Sequence, residues 1–288
     1  MNPGPSLWWQ DSSQRGSLGG LVGSVNASRR VSDPVDQCNE LLPSLAAFAK
    51  DRARLREQLT RNQEGENLRR LVQEAQSMSS GFMLQQSVSE LAALRPMVAN
   101  CTVRSGSRDA HQKLERSLSR RNRNTQDLEQ AAHQLGSLLW VIRNNIVHRE
   151  KVRKATGKWH ERDYSVCRVA SPVLYDLLEI ILETPNSKLV AYGTLRPGEC
   201  NADVVERSDI TWEPCTIRGK LLERDALPFL MYDDHSTVEA VLGFGGDGPF
   251  NWECLDHFEG QAYRRELTIA EVGGVLHVGN VYMSADAR

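Results

Sequence analysis

"KLVAYGTLRPGECN", Lys188 to Asn201, is where the chain changes character. Upstream, apolar residues recur at steps of three and four. Here a short apolar run stops at Tyr192-Gly193, and a polar loop punctuated by Pro197 and Gly198 follows. From Lys188 onward the hydrophobic period is two and β-branched residues take over, which argues for strands. The predicted strands are Leu189–Tyr192, Thr216–Leu222, Val238–Phe244, Glu266–Val272 and Val275–Met283. "FNWECLDHFEG" reads as one short helix closed by Gly260. Several strands with one short helix imply a small α+β domain over residues 187–288. Within it, Tyr192-Gly193-Thr194-Leu195 forms a strand-to-loop turn. A glycine there is expected to allow positive φ and close approach of a ligand. Successive backbone N–H groups in such a turn can cradle a carboxylate.

Upstream of that point the pattern is helical. Residues 1–32 are rich in Ser, Gly and Pro without a period and are expected to be a disordered tail. Residues 33–186 are expected to form an all-α domain. "SDPVDQ" is a helix start, with Leu41, Leu42, Leu45, Phe48 and Ala49 at helical spacing after it. "ENLRRLVQEAQSM" and "SVSELAALRPMVANC" continue the pattern, the latter interrupted at Pro96. The strongest stripe is Leu128, Ala131, Leu135, Leu138, Ile142 and Ile146. "SPVLYDLLEIILET" closes the half, with Ser171-Pro172 as its start and "TPNS" as its stop.

Composition narrows the function classes. With 40% hydrophobic and 25% charged residues the chain is ordinary globular protein, and no apolar run is long enough to span a bilayer. The first residues lack a basic flank followed by an apolar stretch, so no signal peptide is expected. Six scattered cysteines without a Cys-x-x-Cys pair, and seven histidines without ligand spacing, point to reduced intracellular thiols and a cytoplasmic protein. No metal and no cofactor are expected. Up to Ser187 the chain carries 26 Lys and Arg against 20 Asp and Glu, a net +6. From Lys188 it carries 9 against 17, a net −8. A basic half and an acidic half suggest modules with different partners, or modules that attract each other, although solvated surfaces would give the same counts.

"YGTLRPGECN" followed by "LDHFEGQAYRR" resembles the gamma-glutamylcyclotransferase-like family, in particular its gamma-glutamylamine cyclotransferase branch. The matching residues are the Tyr192–Leu195 turn, Gly198, Asn201, the run Leu255-Asp256-His257-Phe258-Glu259-Gly260, then Tyr263-Arg264-Arg265. "VGNVYMS", with Tyr282, resembles the family's closing strand. The middle, "VEAVLGFGGDGPFNWEC", departs from the usual pattern. The resemblance implies a mixed, barrel-like sheet. It also implies release of an amine and 5-oxoproline from a gamma-glutamyl compound, with Glu259 as the catalytic carboxyl. The turn, Tyr192 to Leu195, would bind substrate, its amides at 193–195 holding the α-carboxylate, with Arg196 either assisting or a surface arginine. At the end of a helix, one turn after Asp256, Glu259 is expected to have a raised pKa.

A second resemblance lies in the basic half. Arg143-Asn144-Asn145-Ile146-Val147-His148 is similar to the Arg-x4-His signature of HEPN-domain proteins, which are helical, often dimeric, and include metal-independent ribonucleases. It implies a ribonuclease site of Arg143, Asn144 and His148, with His148 as base and Arg143 on the phosphate. RNA is then a candidate partner of the helical half, and a homodimer a candidate assembly. Five helical residues place positions 143 and 148 about 140° apart. They converge only if the helix ends near Val147 or a second copy completes the site. Three readings stand side by side: a cyclotransferase, an RNA-cleaving or RNA-binding protein with a ligand-sensing C-terminal domain, and a non-catalytic binding scaffold.

Overall fold

The computed structural model describes residues 15–55, 64–78, 125–156, 161–205, 209–224, 227–246 and 248–286. They divide into two compact units, one of Gly23–Ile180 and one of Ile181–Arg288 with Met1–Val22.

Helices build the first unit: α1 (Arg15–Arg29, which begins in the other unit), α2 (Pro34–Leu55), α3 (Glu64–Met78), α4 (Thr125–Thr156) and α5 (Glu161–Ile181). The start of α2 follows the sequence reading: Pro34 opens the helix, and the Asp33 carboxylate accepts from the amides of Val35 (2.7 Å) and Asp36 (3.3 Å). Leu41, Leu42, Leu45, Phe48 and Ala49 are all buried. So is the α4 stripe, apart from the half-buried Leu128. Helices α3 and α4 approach closely at Gly136, where a Cβ would lie 2.6 Å from the Arg69 Cα. None of the described helices is long and apolar enough to cross a membrane.

Two expectations are corrected here. The disordered tail over 1–32 does not hold from Arg15 onward, where α1 buries Leu18, Leu21, Val22 and Val25. That stripe has helical spacing, and its burial overrides the four glycines that count against a helix. The last helix starts at Glu161, ten residues before Ser171, so Pro172 sits inside it. The Ser171 hydroxyl caps nothing and donates to Gln37 Oε1 at 2.6 Å. The segment with Pro96 lies outside the described residues.

In the second unit α5 gives way at Glu183 and Thr184, both left-handed with φ of 57° and 54°. The buried Lys188 ammonium donates to the Glu183 carbonyl across this reversal. The strands are β1 (Lys188–Ala191), β2 (Ile210–Arg218), β3 (Lys220–Arg224), β4 (Leu227–Met231), β5 (Thr237–Gly245), β6 (Tyr263–Val272) and β7 (Val275–Ser284). Five of them close a barrel in the order β1-β5-β2-β6-β7. Its pairs are antiparallel except at the seam, where β1 runs parallel to β7 with Leu189 opposite Asn280 and Val190 opposite Val281. The sheet is therefore mixed and barrel-like. The fully buried Asn280 side chain donates to the Pro185 carbonyl at 2.7 Å beside the seam.

The predicted strand Thr216–Leu222 is broken at Gly219, and its second half pairs with β4 as a separate hairpin. β4 escaped the sequence reading because "LPFLM" carries a proline, which is tolerated only at sheet edges. α6 (Trp252–Glu259) is the one short helix foreseen. Asn251 caps its start by accepting from the Cys254 amide at 3.2 Å. Gly260, at φ 63°, ends it and returns its amide to the Asp256 carbonyl.

Candidate active site

A cleft opens at the end of β1. Val190, Ala191, Tyr192, Gly193, Thr194 and Leu195 form one side. Leu227 and Pro228 of the hairpin form another, and Glu259, Tyr263 and Tyr282 complete it. The barrel brings together residues separated by almost seventy positions in the chain, and the predicted turn and the predicted carboxyl line the same space.

The turn is built by its own hydrogen bonds. The Arg196 amide donates to Gly193 O at 3.1 Å. Asn201 clasps Thr194 twice, from its amide to Thr194 O (3.1 Å) and from its side chain to Thr194 Oγ1 (3.0 Å). Among the described residues, the amides of Gly193, Thr194 and Leu195 have no acceptor. Gly193, Thr194 and Leu195 all line the cleft, and three successive donors without acceptors suit an anion. The expected reason for the glycine is corrected: Gly193 is not among the positive-φ residues. Its need is spatial, because a Cβ would stand 3.0 Å from Pro228 Cγ across the cleft. Of the two readings for Arg196 the structure has the surface one: it is not among the residues lining the cleft, and its guanidinium holds Gly193 O (3.2 Å) and Glu199 (3.0 Å).

Glu259 is half-buried at the end of α6. Burial pushes its carboxyl up to about 7, and among the described residues no cation or hydrogen bond offsets the rise. The expected contribution of Asp256 is absent, and the reason is plain. Arg265 holds both Asp256 oxygens (3.0 and 3.2 Å), and Tyr282 donates its hydroxyl to one of them (2.7 Å). Arg265 in turn lies over the Trp252 ring, 4.7 Å from the centroid.

Three tyrosines surround the carboxyl. Burial raises the phenols of Tyr192, Tyr263 and Tyr282, and the nearby Glu259 charge adds to each. Their hydroxyls are committed: Tyr192 donates to Tyr282 O (2.7 Å), Tyr263 to Pro228 O (3.1 Å), and Tyr282 to Asp256. The site thus offers one titrating carboxyl, one cradle of amides and apolar walls. No group of three or more His, Cys, Asp or Glu that could hold a metal lies among the described residues. Sequence reasoning missed Leu227 and Pro228; the apolar run "LPFLM" was their only signal.

In the helical unit, α4 runs unbroken through Arg143 and His148. The first condition for their convergence within one chain is therefore not met. Arg143 is half-buried, with its guanidinium 4.9 Å from the Trp140 ring centroid and donating to Asn144 Oδ1 at 3.0 Å. Its Nε is buried with no acceptor among the described residues. The side chains of His148, Arg149, Lys151, Arg153 and Lys154 lie outside what is described, as does the run Arg116 to Arg123.

No curated protein matches the chain. Among solved structures it is similar to YkqA from Bacillus subtilis, at 21% identity with a TM-score of 0.29, over 34% of this chain and 36% of that one. The chain thus spans about a third of YkqA. An AIG2-like protein from Mus musculus is similar at 21% identity and a TM-score of 0.29, over 35% of this chain and 79% of that one. An uncharacterized protein from Pyrococcus horikoshii is similar at 16% identity and a TM-score of 0.26, over 34% and 78%. Barrel and cleft together occupy the part of the chain, residues 189–287, that matches the family model described as "Gamma-glutamyl cyclotransferase, AIG2-like".

Proposed function

We propose that the C-terminal domain is a gamma-glutamylcyclotransferase-like enzyme that releases an amine and 5-oxoproline from a gamma-glutamyl compound. One observation carries this reading. A half-buried carboxyl held up to about 7 lines the same cleft as three successive amides without acceptors.

In this reading the amides of Gly193, Thr194 and Leu195 hold the substrate's α-carboxylate. The α-nitrogen then attacks its own γ-carbonyl carbon. Because nucleophile and electrophile belong to one molecule, much of the entropic cost is already met. A carbon–nitrogen bond forms to the α-nitrogen, and the bond to the leaving nitrogen breaks. The α-ammonium gives up one proton to become a nucleophile and a second as the lactam forms. Glu259 accepts a proton and returns one to the leaving nitrogen, and the departing amine carries both away as an ammonium. Glu259 ends as it began, and no water is consumed. Such proton transfer is worth about 10²–10⁴-fold, and a carboxyl near 7 can act in both directions at neutral pH.

The test is mass spectrometry for 5-oxoproline after incubation of the full chain with a panel of gamma-glutamyl compounds. Glu259→Gln should fold and bind but release at least about 100-fold less product. Undiminished turnover in that variant would remove Glu259 from the mechanism.

A further inference from the structure

The amides of Gly193, Thr194 and Leu195 and the Glu259 carboxyl act on one small substrate, so the span between them has to be fixed. Among the described residues, no cation or hydrogen bond holds the Glu259 carboxyl itself. Its place is set by α6, a helix of eight residues. Leu255, 2% exposed, packs that helix into one cluster with Leu195 and Tyr282. Trp252 ties down the first turn, its indole Nε1 donating to Asn186 O at 3.0 Å. The second turn carries Glu259, and Asp256 ties it down through Arg265 and Tyr282.

From Asp256 the contacts lead on to the amide turn. The Tyr282 hydroxyl donates to Asp256 Oδ1, and the Tyr282 carbonyl accepts the Tyr192 hydroxyl, both at 2.7 Å. Tyr192 is the residue before Gly193. Its oxygen also accepts from the Leu230 amide at 3.4 Å. Two hydrogen bonds in series thus run from the α6 turn that carries Glu259 to the residue that opens the amide turn. Stability does not account for this arrangement. The Asp256 and Arg265 side chains are 44% and 26% exposed, and an ion pair that open contributes little to a fold. Three contacts on one carboxylate do restrict the helix one turn before Glu259.

The groups around Glu259 come from several elements. Tyr192 at the end of β1, Tyr263 on β6 and Tyr282 on β7 are phenols raised by burial, and so neutral at pH 7. β6 also brings Arg264, paired with Glu266, and Arg265, paired with Asp256. On α6 itself Glu253 and His257 are exposed. The hairpin lines the cleft with Leu227 and Pro228, and its Arg224 lies over Phe229 and pairs with Asp286.

We propose that Asp256 is a positioning residue for the cyclisation: through the Tyr282 hydroxyl it holds the second turn of α6, and with it Glu259, at a fixed span from the amide turn that follows Tyr192. This rests on the cyclotransferase reading above.

Release of 5-oxoproline by the full chain is followed across pH, with the compound of the gamma-glutamyl panel that the parent turns over fastest. Asp256→Ala should lower kcat at least about tenfold, because a small misplacement of a reacting group is costly. KM should stay within about twofold, since the amides are untouched, and the melting temperature should hardly move. Asp256→Asn keeps an oxygen for the Tyr282 hydroxyl and should recover most of kcat. Tyr282→Phe should reproduce the loss. The double variant Asp256→Ala/Tyr282→Phe should lose no more than the worse single variant, because the two residues act as one brace. With the brace cut, the Glu259 carboxyl gains water, and its titration should move to lower pH, read by carbon NMR of the carboxyl and by the kcat/KM profile. Tyr282→Phe removes no charge, so a shift there does not come from an unpaired Arg265. Parental kcat in Asp256→Ala, an equal loss in Asp256→Asn, additive losses in the double variant, or an unmoved Glu259 titration in Tyr282→Phe each overturn the inference and leave the cyclotransferase reading standing. No 5-oxoproline from the parent with any compound of the panel overturns that reading and this inference with it.

Discussion

At Glu259 a single burial has two measurable consequences. The folded carboxyl titrates near 7 rather than in the ordinary carboxylate range, so the folded chain holds that proton more tightly than the unfolded chain. The group costs little while protonated. Stability is lost as pH rises from the unfolded value through about 7. Glu259→Gln removes the titration, so its melting temperature should exceed that of the parent by more at pH 8 than at pH 5. An equal gap at both would mean the carboxyl is not buried in solution. Turnover has the opposite slope: a base must be ionised, so kcat/KM of the parent should climb with pH through about 7. At Gly193 the constraint is space. Gly193→Ala places a methyl against Pro228 and should weaken binding of a gamma-glutamyl ligand about tenfold with little change in melting temperature. Calorimetry on the turnover-dead Glu259→Gln background separates the two effects.

Among the elements, α3 and α4 depend on one missing side chain. The atoms nearest a Cβ at Gly136 are backbone atoms of Arg69 and Leu68, which cannot swing aside. Gly136→Val should therefore destabilise the helical unit by about 1–3 kcal/mol, read as a lower urea midpoint by far-UV circular dichroism. An unchanged midpoint would show that the helices part at no cost. The same scale explains which elements could be read from sequence. β1, β5, β6 and β7 lie within a few residues of expectation: β5 alternates exposed and buried over its first half, while β1 and β7 are mainly apolar runs buried almost throughout. α1 was hidden because propensity speaks locally, whereas the burial of Leu18, Leu21, Val22 and Val25 is decided elsewhere in the chain. β4 was hidden by Pro228, which reads as a strand breaker but sits where no ladder donor is required.

For the whole molecule, the resemblance put the turn and Glu259 in one site, but the spacing of the two motifs alone did not. Nothing in the spacing of Gly193 and Glu259 says that they meet. The meeting depends on the barrel order and on the Asp256–Arg265–Tyr282 contacts that fasten α6 to β6 and β7. The acidic residues counted in this half are also not interchangeable: Asp256 is neutralised and Glu259 is not, a distinction composition cannot carry. Closure itself can be tested at Asn280. Asn280→Ala leaves the Pro185 carbonyl without this buried donor and should cost about 1–3 kcal/mol, measured by denaturation. A neutral result would show that the carbonyl finds another donor.

The parallel seam has a consequence for synthesis. β1 is the first strand of the barrel to leave the ribosome and β7 the last, and they must lie side by side. The antiparallel partner of β1, β5, arrives earlier, but Leu189 and Val190 keep one open edge until residue 281 is free. Long-range pairing of this kind is slow, and open apolar edges recruit other chains. A nascent chain halted before Asn280 therefore holds an unclosed sheet that offers itself to chaperones or to its neighbours on the same message, while the helical unit made before it already has its buried stripes.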